Sequence, residues 1–402
     1  MTVYVGMSGG VDSSVAAALL KEQGHFVVGV YMKNWSQDIP GMACTWKEDY
    51  QDAKRVAVQL GIDFKMYDFE GEYKQKVVDY MIAEYRSGRT PNPDVMCNQE
   101  IKFKLFLSTA LADGADMIAT GHYSRILNSQ LLTAKNKDKD QSYFLYRVTE
   151  TALAKSLMPI GEFKTKEEVR HIAKKMGLAT ADKKDSQGIC FVGRVGIREF
   201  LEQYVTAEPG PLIDQHGLIV GEHDGAIFYT TGQRHGMRVG GGLPYYVIGK
   251  DMSKNEVYVT TNLNDDGLWR STIQLSDVHW INEQPDVNRP FQIRTRYRAP
   301  LVGARFKLGL PKITHPQSDS DHAKTVLAAK DVAIASKAEE PWTVGLGRSG
   351  DEEALGRSIK TSMHQNASTI QVELIEQVRA ITLGQSAVIY DGERVLGGGI
   401  VI

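Results

Sequence analysis

Apolar positions in the first half of the chain follow two periods in turn. Val3 to Met7, Phe26 to Met32, Phe64 to Asp68 and Met117 to Thr120 are short, largely apolar runs, the pattern of strands buried on both faces. Between them Val15 to Lys21, Lys47 to Leu60, Phe69 to Tyr85 and Phe103 to Leu111 read as helices, with apolar residues at helical spacing such as Ala53, Val56, Ala57 and Leu60. A further short helix is expected from Lys166 to Met176. Alternating strands and helices predict an α/β unit, a doubly wound parallel sheet whose ligands bind beyond the carboxyl ends of its strands.

Past about residue 205 the helical period stops. Leu212 to Asp214, Leu218 to Val220, Ala226 to Tyr229, Tyr245 to Ile248 and Val257 to Thr260 are short β runs separated by Gly, Asp or Asn, which predicts a small β domain over 205–270. A third unit is expected over 271–402, closing as a β-barrel or a sandwich through Thr369 to Leu374, Val378 to Thr382, Ala387 to Tyr390 and Arg394 to Leu396. In it Phe291 to Arg298 alternates as a strand, so Arg294, Arg296 and Arg298 are expected on one face, either a solvated surface or a phosphate-binding stripe. Residues 311 to about 367 keep no period and read as a mobile insertion. His315 and His322 lie there without further ligands at useful spacing, so no metal site is expected.

At 402 residues the chain exceeds what one core supports, in keeping with this division. A formal net charge of −2 gives no global attraction to a polyanion, so a nucleic-acid partner would need local basic patches. No apolar run reaches membrane-spanning length, and a first strand beginning at Val3 leaves no room for a signal or transit peptide; a cytoplasmic protein is expected. Three scattered cysteines, Cys44, Cys97 and Cys190, suit neither a disulfide framework nor a four-ligand metal site.

The first strand runs directly into Ser8-Gly9-Gly10-Val11-Asp12-Ser13-Ser14 and then into a helix. That order aims the unpaired N–H groups of the first helical turn at whatever fills the loop, where the helix dipole favours an anion. Gly9 and Gly10 permit positive φ and a close phosphate approach, and Ser8, Ser13 and Ser14 add hydroxyl donors. Asp12 makes sense beside phosphates if it helps to hold a divalent cation such as Mg2+. The run lacks the Gly-Lys-Ser/Thr ending of a Walker A loop. It resembles instead the SGGxDS pyrophosphate loop of ATP pyrophosphatases, which release pyrophosphate and place AMP on a substrate. Met32 and Gly121, at the ends of other strands, would border the same crevice or else serve packing and turn formation.

Thr90-Pro91-Asn92-Pro93-Asp94-Val95-Met96-Cys97 reads as a stiff, exposed loop, because its prolines oppose a helix. Asp94 is there a candidate acid or base, and Lys102 and Lys104 would favour a Cys97 thiolate; a turn former and a buried small residue are the plainer alternatives. Lys184-Asp185-Ser186-Gln187-Gly188-Ile189-Cys190 forms a second polar loop with a cysteine in the same α/β unit. Loops at one sheet edge converge, and ATP activation beside two thiols suggests sulfur chemistry. Cys44 is expected to pack near a helix start capped by Thr45.

Taken together, SGGVDSS, MKNW (Met32 to Trp35), GRTPNPDVMCNQEIKF (Gly88 to Phe103), ATGHY (Ala119 to Tyr123), KDQSYFL (Lys139 to Leu145), KDSQGICFVG (Lys184 to Gly193), YTTGQR (Tyr229 to Arg234), RYR (Arg296 to Arg298) and GQSAVIY (Gly384 to Tyr390) closely resemble the tRNA-specific 2-thiouridylases. The resemblance implies an enzyme that binds tRNA, adenylates the C2 oxygen of the wobble uridine with ATP and inserts sulfur. Gly6, Met7, Ser8, Gly9, Gly10, Val11, Asp12, Ser13, Met32 and Gly121 would then hold ATP with Mg2+. Cys190 would carry a persulfide from a sulfur-donor protein. Its terminal sulfur would attack directly or as hydrosulfide released by Cys97, leaving a transient Cys97–Cys190 disulfide, with Asp94 as acid or base. Asn92, Pro93 and Asp94 match the segment around the flipped uridine, and His122, Lys139, Asp140, Gln141, Arg296, Tyr297 and Gln385 match tRNA-contacting positions. The family suggests tRNAs for lysine, glutamate and glutamine. Two other readings keep fewer of these features: a pyrophosphate-loop amide or amidine ligase, which needs no cysteine pair, and a nucleotide-regulated RNA-binding protein.

Overall fold

A computed structural model of the chain describes residues 1–38, 44–184, 196–237, 239, 242–307 and 369–402. Cys190 and its loop, His315, His322 and the expected insertion at 311–367 lie outside the described residues. The strands of the first half are β1 (Thr2–Gly6), β2 (Phe26–Lys33), β3 (Asp63–Asp68), β4 (Met117–Ala119) and, after a hairpin of β5 (Ser124–Leu127) and β6 (Gln130–Thr133), β7 (Ser156–Leu157). Five of them form a parallel sheet in the order β3-β2-β1-β4-β7. The order reverses between β1 and β4, and at such a switch point the connections leave on opposite faces and open a crevice. Helices α1 (Val11–Glu22) and α2 (Trp46–Leu60) pack Val15, Ala16, Ala53 and Val56 with Val3, Val5 and Val27 of the sheet. The opposite face buries Val28, Val30, Phe106 and Ile118.

One expectation needs correction. Prolines 91 and 93 do not make the Asn92–Cys97 segment an exposed loop: both are buried, and a helix starts at Pro93. Proline at the first helical position loses an N–H that would be unpaired anyway, and Asn92 caps the turn by accepting from Val95 N at 3.4 Å. The helical path then continues as a π-helix over Cys97–Leu105 and an α-helix over Phe106–Ala112, with Cys97 2% exposed.

In the second half, β8 (Gly210–Ile213), β9 (Ile219–His223), β10 (Tyr246–Asp251) and β11 (Glu256–Thr260) form a four-stranded sheet ordered β10-β11-β8-β9. The stretch at Ala226–Phe228, expected as a strand, is a 3-10 turn whose Ala226 and Phe228 pack with the small core of Leu212, Val247, Val257 and Val259. The remaining strands are β12 (Trp269–Trp280), β13 (Phe291–Arg294), β14 (Val302–Phe306), β15 (Ile370–Arg379), β16 (Ser386–Asp391) and β17 (Arg394–Val401). They are ordered β12-β15-β14-β13-β16-β17, and pairing of β17 with β12 closes a six-stranded barrel. The β5–β6 hairpin extends this β-sheet by pairing Leu132 with Arg394, although its residues belong to the first half of the chain.

The arginine stripe is also corrected. β13 ends at Arg294, so Arg296 and Arg298 sit in the following turn, with Arg298 at φ +62. Arg294 turns inward instead, its guanidinium 5.5 Å from the Tyr390 ring and 3.7 Å from the Asp140 carboxylate. No described helix is long and apolar enough to cross a membrane.

Candidate active site

The loop after β1 lies at the switch point. Gly10 is the N-cap of α1 and offers no side-chain cap, so the first-turn N–H groups stay available for an anion. The loop is braced from within. Ser13 Oγ accepts from Ser8 N at 3.2 Å and donates to Gly10 O at 3.2 Å, while Ser14 Oγ donates to the same carbonyl at 2.8 Å. Ser8 itself is exposed at the mouth. Gly9 has φ +75, and a Cβ there would lie 2.4 Å from the Asp49 carbonyl, so any other residue is excluded on both counts. Gly121 closes the far side: a Cβ on it would lie 2.6 Å from Ser13 N. Met32 also reaches the loop's base, its Cε 3.0 Å from where a Cβ of Gly6 would stand.

Asp12 is less open than the sequence suggested. Lys166, the first residue of helix α3 (Lys166–Lys175), donates to both its carboxylate oxygens at 2.7 Å, and Tyr123 OH donates at 2.8 Å. Neither partner was legible as part of the site, since Lys166 reads as an ordinary first-turn helix residue far away in sequence. A cation beside Asp12 would share the carboxylate with Lys166. Among the described residues no group of three His, Cys, Asp or Glu side chains stands ready for a metal.

A series of contacts leads from this loop to Cys97. Gly121 abuts Ser13, and its neighbour His122 is buried. His122 Nδ1 lies 2.8 Å from Thr120 Oγ1 and its Nε2 lies 3.5 Å from Lys102 Nζ, on the π-helix that begins at Cys97. Burial, helped by the Lys102 charge, holds the His122 pKa well below its ordinary range, so the ring is neutral at physiological pH. Burial pushes the Asp94 carboxyl up, and Lys102 pulls it partly back. A carboxyl raised in this way is closer to the poise a general acid or base needs at neutral pH. Cys44 is half-buried, as expected, with Sγ 3.7 Å from Trp35 O, and burial raises its thiol pKa. Thr45 takes the N-cap position of α2, but its hydroxyl donates to the Asp49 side chain at 3.0 Å rather than accepting from the backbone.

The positions expected at tRNA divide into outward and inward groups. Arg296 is exposed, and Tyr297 is half-buried with its ring 4.4 Å from Phe144. Lys139 is half-buried on the Asn136 turn. Asp140 is 4% exposed, and its carboxylate accepts from Ala134 N at 2.9 Å and Ser142 Oγ at 2.9 Å. It therefore anchors the segment, and its carboxylate is not open to RNA in this arrangement. Gln141 accepts from Tyr123 N at 2.9 Å, and Gln385 donates to Thr90 O at 2.8 Å.

Family models match three stretches of the chain: a tRNA methyl transferase HUP domain at residues 1–194, a tRNA methyl transferase PRC-barrel domain at 198–261 and an aminomethyltransferase beta-barrel domain at 356–401. The tRNA-specific 2-thiouridylase MnmA of Bacillus subtilis (strain 168) is 42% identical over 404 residues, covering 99% of this chain and 94% of that protein. The protein of the same description from Streptococcus sanguinis (strain SK36) is 41% identical over 410 residues, with coverage of 99% and 94%. Among solved structures, a 4-thiouridine synthetase–RNA complex with bound ATP covers 50% of each chain at 18% identity with a TM-score of 0.33. On the full-length matches, the chain belongs to the tRNA-specific 2-thiouridylase family.

Proposed function

We propose that this protein catalyses the ATP-dependent 2-thiolation of the wobble uridine of tRNA, with tRNAs for lysine, glutamate and glutamine as the substrates the family suggests. The observation that carries the reading is the unbroken series from the uncapped α1 terminus through Gly121, His122 and Lys102 to the helix bearing Asp94 and Cys97. On this reading the anion cradle and the thiol would serve one centre.

The C2 carbonyl of uridine is a poor electrophile because its oxygen leaves badly, and transfer of AMP from ATP, with loss of pyrophosphate, supplies a good leaving group. The N–H groups and hydroxyls of Ser8, Gly9, Gly10, Val11 and Ser13 orient the phosphates, while Gly6, Met7, Met32 and Gly121 shape the crevice around the nucleotide. Magnesium would enter with the triphosphate and find Asp12 as the carboxylate the loop carries. Asn92 and Pro93 fix the helix start beside which the extruded uridine would lie, and Asp94 would accept the proton that uridine N3 loses on activation. A sulfur-donor protein would load Cys190 as a persulfide. Attack by the Cys97 thiolate on the inner sulfur forms the Cys97–Cys190 disulfide and releases hydrosulfide. Hydrosulfide adds to C2, the C2–O bond breaks, and AMP departs with the electron pair. An external thiol reductant then returns both cysteines to thiols. Exposed Arg296 and half-buried Lys139 and Tyr297 would meet the RNA, with Gln141 and Gln385 bracing the neighbouring segments.

Incubation of tRNA with the protein, ATP and a persulfide donor, followed by mass analysis of nucleosides, tests this. The expected product is 2-thiouridine at the wobble position. Cys97→Ser and Cys190→Ser should each abolish it while ATP binding persists. A product of 4-thiouridine, no thiolation by the wild type, or full activity in either cysteine variant refutes the reading.

A further inference from the structure

His122 is a buried imidazole with a defined partner at each nitrogen. Thr120 Oγ1, at 2.8 Å from Nδ1, can donate or accept, so it does not select a tautomer. Lys102 Nζ, at 3.5 Å from Nε2, is an ammonium and can only donate. Nε2 must therefore carry the lone pair, Nδ1 the proton, and Thr120 must accept. The same ammonium favours the charged form of Asp94, which lies three residues before the π-helix begins. In a π register residues five apart stack one turn over another, so Cys97 and Lys102 rise along one side of this helix. Ordinary α-helical winding would rotate them apart.

Other charges near these groups are committed to partners of their own. Glu100 bonds Lys76 at 3.0 Å and Lys104 at 3.2 Å. Asp12, beyond Gly121, bonds Lys166 and Tyr123. Arg147 pairs with Asp277 at 2.8 Å and also bonds Gln99. Among the described residues, Lys102 is a cation whose charge acts on both His122 and Asp94.

We propose that Lys102 is a positioning residue of the sulfur-transfer centre: it fixes His122 as the neutral Nδ1–H tautomer and supplies the counter-charge to Asp94. The assignment deepens the thiolation reading and rests on it for the kinetic part only. In the reaction, removal of the proton from uridine N3 needs an ionised Asp94, and Lys102 favours that form in a buried setting. A neutral His122 with its N–H turned to Thr120 cannot compete as a proton donor at the same place.

The test uses the full chain with Lys102→Met, which removes donor and charge, and Lys102→Arg, which keeps both. Nitrogen-15 NMR of the His122 ring, assigned with His122→Asn, reads the tautomer without substrate. The wild type and Lys102→Arg should show Nδ1–H alone, and Lys102→Met should show a signal for Nε2–H. In single-turnover thiolation, the acid limb of the pH profile should move to higher pH in Lys102→Met, each unit lowering the rate on that limb about tenfold, and stay near the wild-type position in Lys102→Arg. A loss of packing alone would lower the rate equally at all pH values. An unchanged His122 tautomer in Lys102→Met, or an acid limb at the wild-type pH, overturns the assignment. Should Lys102→Met not fold, a shift of tautomer in Lys102→Arg would overturn it as well. A wild type that does not thiolate tRNA would refute the activity, yet the tautomer measurement would still decide the role of Lys102 toward His122.

Discussion

Gly121→Ala is a one-methyl probe of the proposed nucleotide crevice. Gly121 does not sit at positive φ, so alanine meets no conformational barrier there. The obstacle is contact: the new Cβ would lie 2.6 Å from Ser13 N, 2.8 Å from Asp12 C and 2.9 Å from Ser13 Cα, all backbone atoms of the first turn of α1. Restoring an ordinary separation of 3.4 Å moves that turn from the end of β4 by about 0.8 Å, the difference between the two distances. Overpacking of this kind costs about 1–3 kcal/mol, and about 1 Å of misplacement at a reacting group costs roughly a hundredfold in rate. Gly71→Ala is the control, since nothing lies within 4 Å of its Cβ. It sits in the helix Glu70–Tyr73 and should gain up to about 1 kcal/mol. Thermal unfolding, ATP titration and tRNA thiolation of both variants make the assay. Gly121→Ala should bind ATP about tenfold more weakly or worse, a change of about 1.4 kcal/mol, with Gly71→Ala at wild-type affinity. Wild-type ATP affinity in Gly121→Ala would mean that the first turn of α1 is not where phosphate binds.

Lys250 is half-buried with its Nζ donating to Tyr229 O at 2.8 Å, and desolvation lowers its pKa from 10.5 to about 8. Between those values the unfolded chain holds the proton and the folded chain does not, so stability rises with pH across that window, by at most about 1.4 kcal/mol per unit. Denaturant midpoints of wild type and Lys250→Met at pH 7.5 and 9.5 should converge at the higher pH, and parallel pH dependences would refute the lowered pKa. Lys166→Met should cost about 1–3 kcal/mol by removing the charged partner of the Asp12 carboxylate; the pair is 10% and 31% exposed. Asp12→Asn in the same chain should recover part of that loss, and strict additivity in the double-mutant cycle would refute the coupling.

The alternation of periods makes the parallel sheet legible because a strand buried on both faces must be apolar throughout. The loop at Ser8 is legible for a similar reason: Gly9 occupies a position that excludes every other residue sterically. Cys97 shows where local reasoning fails. Proline opposes a helix from the middle but is well placed at its first turn, and only the cap at Asn92 decides which case applies. Arg294 reads like Arg296 by alternation, yet it is drawn inward by Asp140 and Tyr390, which lie far away in sequence. Lys166 against Asp12 and Lys102 against His122 are likewise tertiary contacts with no local periodicity to announce them. The β5–β6 hairpin could not be assigned to the barrel from sequence, because nothing in a four-residue strand names its partner.

Thr90 explains why the two β regions cannot be regarded as appendages to the α/β sheet. Its N–H donates to Leu383 O at 2.8 Å, its carbonyl accepts from Gln385 at 2.8 Å, and its hydroxyl lies 3.1 Å from that of Thr230. All the hydrogen-bonding groups of one residue are therefore spent on the barrel side and the middle region. Gly384, at φ +87, permits the approach, since a Cβ on it would lie 2.8 Å from Thr90 N. A cavity of about 910 Å³ opens at the same junction, lined by Arg89 and Thr90, by Thr230 and Lys250, and by Arg270 and Thr382. Two residues beyond Thr90, Asn92 caps the helix that carries Asp94 and Cys97. The start of that helix is thus fixed from outside its own sheet. Gln385 fits the family's motif, and here its amide holds this junction at Thr90, two residues before the cap of the helix that carries the proposed acid–base group.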